Sequence, residues 1–346
     1  MAKTSDSLGR LGAAVLFGLL VTACAREPSL ISPKLAQANL PLRPVESART
    51  ALVGFDTTPF PFHGKVPGAA RAFMDVDDNG RLGHSSLRNG VLWEDQTYSE
   101  HRVLLSLPSG FDPRKPAALV VFLHGNEATL ERDVMDRQGV PRQLARSGLN
   151  AVLVAPQFAL DAKDSSAGRF WEPGVFNQFL RESARRLAEL YGTKDAEFVF
   201  EHAPVILVGY SGGYLPAAAA LRYGRAGSRV RGVVLLDALY GEQDTFEGFI
   251  AARGGERFFV SLYGKSSKDG NEALIRRLQA RGTEIAASLG SGIEPGSVTF
   301  VDAGETVAHG DFVTQALNGS PLADVLSRIR GFPRRPDSGL LASDGG

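Results

Sequence analysis

Cysteine is nearly absent from this chain: Cys24 is the only one in 346 residues. A single thiol forms no internal disulfide, so stability must come from a packed core rather than from covalent staples. Histidine is scarce too, with six copies. No H-E-x-x-H spacing or histidine cluster is present, which argues against a metal hydrolase. An excess of charge of one sign is missing, since Lys+Arg and Asp+Glu both number 38. That balance argues against a nucleic-acid partner, which would call for a basic excess. Beyond the N-terminus no apolar run approaches the roughly 18 residues of a membrane span. There is no internal repeat at solenoid or propeller periods. No G-x-G-x-x-G follows a strand-like segment, so no nicotinamide cofactor, and no other cofactor, is implied.

What is present begins with the N-terminus. Lys3 and Arg10 precede an apolar run from Leu11 to Val21, which is short for a membrane span and fits the core of a signal peptide. It ends in Val21-Thr22-Ala23-Cys24, which resembles a bacterial lipobox. The expected organisation is a lipoprotein signal peptide over 1–24, a Pro/Ser/Ala/Arg-rich tether over 25–50, one folded domain over 51–331 and a flexible tail over 332–346. Lipidation at Cys24 would anchor the chain to a membrane, and Ala25 in the next position points to the outer membrane, facing the periplasm. A plain signal peptide with an incidental cysteine is the competing reading.

Within the domain, hydrophobic residues are plentiful, 43% of the chain, and short apolar runs alternate with amphipathic ones. Ala118–Leu123, Asn150–Ala155, Pro204–Val208, Val230–Leu236, Arg257–Leu262 and Val298–Val301 read as strands. Leu130–Arg146, Gly174–Tyr191, an Ala-rich stretch to Tyr223, Asn271–Arg281 and a C-terminal segment read as helices. Strands apolar on both faces and separated by helices predict a mostly parallel sheet covered on both sides. Gly90–Leu107 reads as antiparallel material at its leading edge. Asp75-Val-Asp-Asp-Asn-Gly80 matches the first half of a calcium loop, but Ser86 stands where the bidentate glutamate belongs. Asn79-Gly80 favours a hairpin turn instead.

The chemistry concentrates in Gly209-Tyr210-Ser211-Gly212-Gly213, the one G-x-S-x-G in the chain. It follows a strand and opens a helix, so the turn must be sharp and the glycines relieve its crowding. Such a turn exposes Ser211 as a nucleophile above a helix N-terminus. A serine hydroxyl needs a base, and His309 is the sole histidine after Ser211, just beyond the last strand. For the acid, Asp237 ends the strand Val230–Leu236 and is preferred. Asp269 is the alternative, although Asp269 to Glu272 also reads as a helix cap, and Asp302 is a third candidate. Oxyanion donors are expected at Gly212 and, from His124-Gly125-Asn126-Glu127, at Asn126. His124 is read as ordering that loop. The segment Pro156–Pro173 is either an ordered surface loop or a pocket wall with Trp171 as a stacking face, and Tyr210 is a second candidate lining residue.

His-Gly-Asn, Gly-Tyr-Ser-Gly-Gly and Ala-His-Gly-Asp, in this order from about Ala118 to Thr314, resemble the α/β-hydrolase superfamily. The resemblance implies an α/β-hydrolase fold with helices on both faces of the sheet. It further implies a serine hydrolase acting through an acyl-enzyme, here on a small-molecule or polymer carboxylic ester. Peptidase or amidase action on the same fold, and a non-catalytic binding lipoprotein, are the alternatives.

Overall fold

The computed structural model describes residues 42–86, 88–252 and 256–335. The expected signal peptide, Cys24 and the chain beyond 335 lie outside the described residues. In chain order the strands are β1 (Arg49–Gly54), β2 (Val76–Asp78), β3 (Arg81–Ser86), β4 (Gly90–Trp93), β5 (Arg102–Leu107) and β6 (Ala118–Leu123). They continue with β7 (Ala151–Pro156), β8 (Val205–Tyr210), β9 (Val230–Leu236), β10 (Phe258–Tyr263) and β11 (Val298–Asp302). Eight of them form one sheet in the order β1-β5-β7-β6-β8-β9-β10-β11. β5 runs antiparallel to both its neighbours, and the pairs from β7 to β11 are parallel. This is the strand order of an α/β-hydrolase fold.

Every residue of β6, β7, β8 and β10 is buried, so both faces of the central strands are covered, as their unbroken apolar runs required. Burying each Val or Leu side chain contributes about 1.5–3 kcal/mol. The covering helices are α1 (Val140–Arg146), α2 (Val175–Tyr191), α3 (Glu197–His202), α4 (Tyr214–Tyr223), α5 (Gln243–Ala251), α6 (Lys268–Ala280), α7 (Asp311–Thr314), α8 (Ala316–Gly319) and α9 (Pro321–Arg328). In α2, Phe176, Phe179, Leu180, Ser183, Ala184 and Leu187 form one buried face, the helical spacing of a core-facing stripe. Gly174 (φ +86°) and Gly192 (φ +100°) bound it, conformations that glycine adopts without a side-chain clash.

Several expected boundaries move. The segment read as tether joins the fold before residue 51: Leu42 and Val45 are buried, and Val45 N donates to Phe111 O at 2.8 Å. β1 starts at Arg49 because β5 supplies its ladder, a partner that local composition does not reveal. Leu130–Arg146 is not one helix. A wide π-type helix over Leu130–Arg137 precedes α1, and Gly139 (φ +57°) separates them. Gly90–Leu107 splits between two sheets, with a π-type turn over Glu94–Tyr98 between. The C-terminal helix is three short ones, α7 to α9. The proposed tail packs at least to Pro333, whose carbonyl accepts from Asn150 N at 3.0 Å.

The small sheet β2-β3-β4 contains the Asp75–Gly80 segment as a hairpin. Asn79 (φ +54°) and Gly80 (φ +90°) both adopt left-handed backbone, the type I′ geometry that Asn-Gly favours. Asp77 Oδ1 accepts from Gly80 N at 2.7 Å, and Asp75 accepts from Ser85 N and Oγ. The carboxylates therefore serve the turn and the adjoining strand.

Candidate active site

Parallel strands deliver their carboxyl ends to one edge of the sheet, and the candidate residues gather there. Ser211 follows β8 directly, with φ +52° after an extended Tyr210 at φ −112°. A non-glycine residue held this way costs about 1–3 kcal/mol and persists only where the surroundings dictate it. A Cβ on Gly213 would strike the Leu123 carbonyl, and one on Gly209 would stand 3.0 Å from Gly213 O. Glycine at both positions is what lets α4 begin so close to β6 and β8. A Cβ on Gly125 would lie 2.7 Å from Ser211 Cβ and 3.2 Å from its Oγ, so the loop after β6 lies directly against the serine.

Asp237 follows β9 and is 1% exposed, with φ +44°. Its N–H donates to Leu262 O at 2.7 Å, tying it to β10. Oδ1 accepts from Gly264 N at 3.1 Å and from the Ser267 hydroxyl; Oδ2 accepts from the Ser266 hydroxyl and, at 2.6 Å, from His309 Nδ1. Burial pushes the Asp237 pKa up, but the bonds from His309, Ser266, Ser267 and Gly264 outweigh it and hold the carboxyl at about 2. It is therefore ionised at neutral pH and, by accepting there, keeps a proton on His309 Nδ1.

The His309 ring also stacks on Tyr210, with centroids 5.0 Å apart and an interplanar angle of 22°. Asp311 holds the turn by accepting from Ala308 N at 3.2 Å. Among the described residues neither Ser211 Oγ nor His309 Nε2 has a hydrogen-bond partner. Catalytic hydrogen bonds of this kind often close only around substrate.

Asp269 sits exposed in the first turn of α6, and its carboxylate makes no hydrogen bond among the described residues. The expected helix cap there is corrected: α6 begins at Lys268, three residues earlier than the pattern indicated. Its boundary residue is Ser267, whose hydroxyl goes to Asp237. Asp302 accepts from Gly304 N at 2.8 Å within its own loop.

His124 is 4% exposed. Its Nε2 accepts from Phe158 N at 2.9 Å, while Nδ1 donates to Gly125 O at 2.7 Å. Burial holds its pKa down at about 4, so it is a neutral brace for the loop. The Asn126 backbone N–H has no acceptor among the described residues. Asn126 Oδ1 accepts from Ser165 Oγ at 2.9 Å, and a Cβ on Gly212 would crowd both groups. Gly212 and Asn126 thus meet beside Ser211.

Ser211 opens into a cleft of about 700 Å³. Part of the segment after β7 lines it, through Lys163, Asp164, Ser165 and Ser166. Trp171 does not. It is buried against Phe62 and Phe73 and borders a separate cleft. Tyr210 also departs from its expected role, because its ring is buried beneath His309 rather than open to the cleft. The rest of the lining includes Ser85 and Ser86 of β3, Arg88 of the turn after it, and Tyr214 and Tyr240. None of these wall residues, nor Ser266 and Ser267, was anticipated. The serine pair had one readable signal, its position just past a strand's carboxyl end, whereas the small sheet's residues had none.

No family model matches the chain, and no curated protein matches it. Among solved structures it is similar to the feruloyl esterase module from Clostridium thermocellum, with 16% identity over 83% of this chain and 95% of that one and a TM-score of 0.44. It is also similar to an S-formylglutathione hydrolase from Agrobacterium tumefaciens, with 12% identity, 73% and 97% coverage, and a TM-score of 0.42. The enterobactin hydrolase IroE gives 18% identity, 65% and 88% coverage, and a TM-score of 0.37. Similarity at this level assigns no activity to the chain.

Proposed function

We propose that the chain is a serine hydrolase that cleaves a carboxylic ester through an acyl-enzyme. The carrying observation is a serine held at φ +52° on a strand-to-helix turn, with the preceding Tyr210 stacked on a histidine that is bonded to a buried aspartate at 2.6 Å. In this reading Ser211 Oγ attacks the ester carbonyl while His309 Nε2 takes its proton. Asp237 keeps the proton on Nδ1 and stabilises the imidazolium that forms. The N–H groups of Gly212 and Asn126 stabilise the oxyanion of the tetrahedral intermediate. His309 then returns the proton to the leaving alcohol, and water repeats the sequence to release the acid.

A fluorophosphonate probe and matched aryl esters and anilides test the proposal. The protein should react with the probe at Ser211 and turn over the esters faster than the anilides. Ser211→Ala should abolish labelling and lower turnover by several orders of magnitude. Undiminished ester hydrolysis by folded Ser211→Ala would refute it, and faster anilide turnover would make the protein an amidase.

We further propose export to the bacterial envelope with lipid attached at Cys24, supported by the charged, apolar and lipobox-like order of residues 3–24. One acyl chain anchors only weakly, so stable attachment needs the several chains of a bacterial lipoprotein.

A further inference from the structure

We infer that the Ser211 cleft takes esters bearing an anionic group near the scissile bond, and that Arg88 recognises that group. This inference rests on the ester-hydrolase reading and specifies its substrate class.

The charges of the cleft do not cancel one another. Lys163 pairs with Glu127 at 3.5 Å, so one cation of the lining already has its carboxylate. Asp164, the acidic residue of the lining, is committed elsewhere. Its Oδ2 accepts from the buried Tyr98 hydroxyl at 2.7 Å, and its Oδ1 accepts from Ser166 N and Oγ at 3.1 and 2.7 Å. Arg88 is different. Its backbone N–H donates to Ser86 Oγ, but among the described residues its guanidinium has neither an ion pair nor a hydrogen bond.

The charge of Arg88 is felt at Tyr214, another residue of the lining. Burial and the charge of Glu242 push the Tyr214 phenol up, and the Arg88 guanidinium pulls against them. A guanidinium is a planar fork of donors matched to a carboxylate or phosphate. The rest of the wall suits a polar ligand as well. Ser85, Ser86, Ser165 and Ser166 offer hydroxyls, and among the described residues Leu215 is the only aliphatic side chain in the lining. A long alkyl chain would forgo about 0.8 kcal/mol for each CH₂ left unburied, so hydrocarbon length is a poor basis for recognition here.

Two matched pairs test the idea on the purified protein. For a charge on the acyl side, para-nitrophenyl hemisuccinate is compared with para-nitrophenyl methyl succinate. For the alcohol side, para-acetoxybenzoate is compared with its methyl ester. In at least one pair the anionic member should have about tenfold higher kcat/KM, the scale of one charge-assisted hydrogen bond. Arg88→Gln should bring that ratio close to one, and so should about 1 M salt, where the Debye length falls to about 3 Å. A folding defect lowers both members together and leaves the ratio alone. No preference in either pair, or a preference that survives Arg88→Gln, overturns the inference. Failure to turn over all four esters, together with an unlabelled Ser211, overturns the hydrolase reading and the inference with it.

Discussion

Asp237→Asn probes the site through its hydrogen bonds. Asp237 faces two kinds of donor. The Gly264 N–H is fixed and cannot become an acceptor, whereas the Ser266 and Ser267 hydroxyls can rotate. The asparagine oxygen must therefore stay toward Gly264, which turns the amide NH₂ toward His309. Nδ1 of His309 then has to accept, its proton moves to Nε2, and Nε2 can no longer take the Ser211 proton. Turnover should fall about 10⁴-fold, or roughly 5.5 kcal/mol of barrier.

Stability should change far less. The Asp237 carboxyl titrates at about 2 in the fold against the usual 3.8, a difference of roughly 2 kcal/mol. Because the folded value is the lower one, this contribution is fully present above about pH 4. It is lost as the pH falls from there through about 2. At neutral pH the variant should melt only a few degrees lower. Its melting temperature should also fall less steeply below pH 4 than that of the wild type. Aryl-ester kcat and thermal melts decide the matter, with Asp269→Asn as the comparison. That carboxylate is exposed and makes no hydrogen bond among the described residues, so both measurements should stay near wild type. Asp237→Asn activity within tenfold of wild type, or a large loss in Asp269→Asn, would refute the reasoning.

Gly125→Ala introduces a Cβ 2.7 Å from Ser211 Cβ and 3.2 Å from Tyr210 Cδ1. Displacing the serine should lower kcat about 10²-fold, with an overpacking cost of about 1–3 kcal/mol in the melt; wild-type kcat would show that the loop gives way freely. Mass spectrometry of the protein from a bacterial envelope should find Cys24 lipidated at the mature N-terminus, and an unmodified Cys24 or a terminus elsewhere would refute the anchor.

The features legible in the sequence share one property: their signal is local. Ala118–Leu123 and Val230–Leu236 are strands over those same residues, because a short run apolar on both faces fits a buried parallel strand wherever it lies. The Ser211 turn was readable because its glycines answer to atoms a few residues away or on the adjoining strand. Asn79-Gly80 likewise carries its backbone requirement in its own dipeptide. His309 stood out through chain order, its place just past the last strand and its being the sole histidine after Ser211.

The choice of acid was different. Asp237 and Asp269 both follow strands, and each had a local explanation. What separates them is the alignment of β9 with β10, which brings Gly264, Ser266 and Ser267 around one carboxylate and leaves the other in solvent. The same holds for Trp171, which joined an aromatic cluster with Phe62 and Phe73, more than 90 residues earlier in the chain. The cleft residues Ser85, Ser86 and Arg88 lie in or next to a small sheet whose three strands pair with one another. The sequence by itself determined the strands, the strained serine turn and the order of Ser211 and His309, because these depend on neighbours along the chain. Only the tertiary structure decided which carboxylate meets His309 and which side chains face Ser211, because those contacts join segments that nothing but the packed sheet brings together.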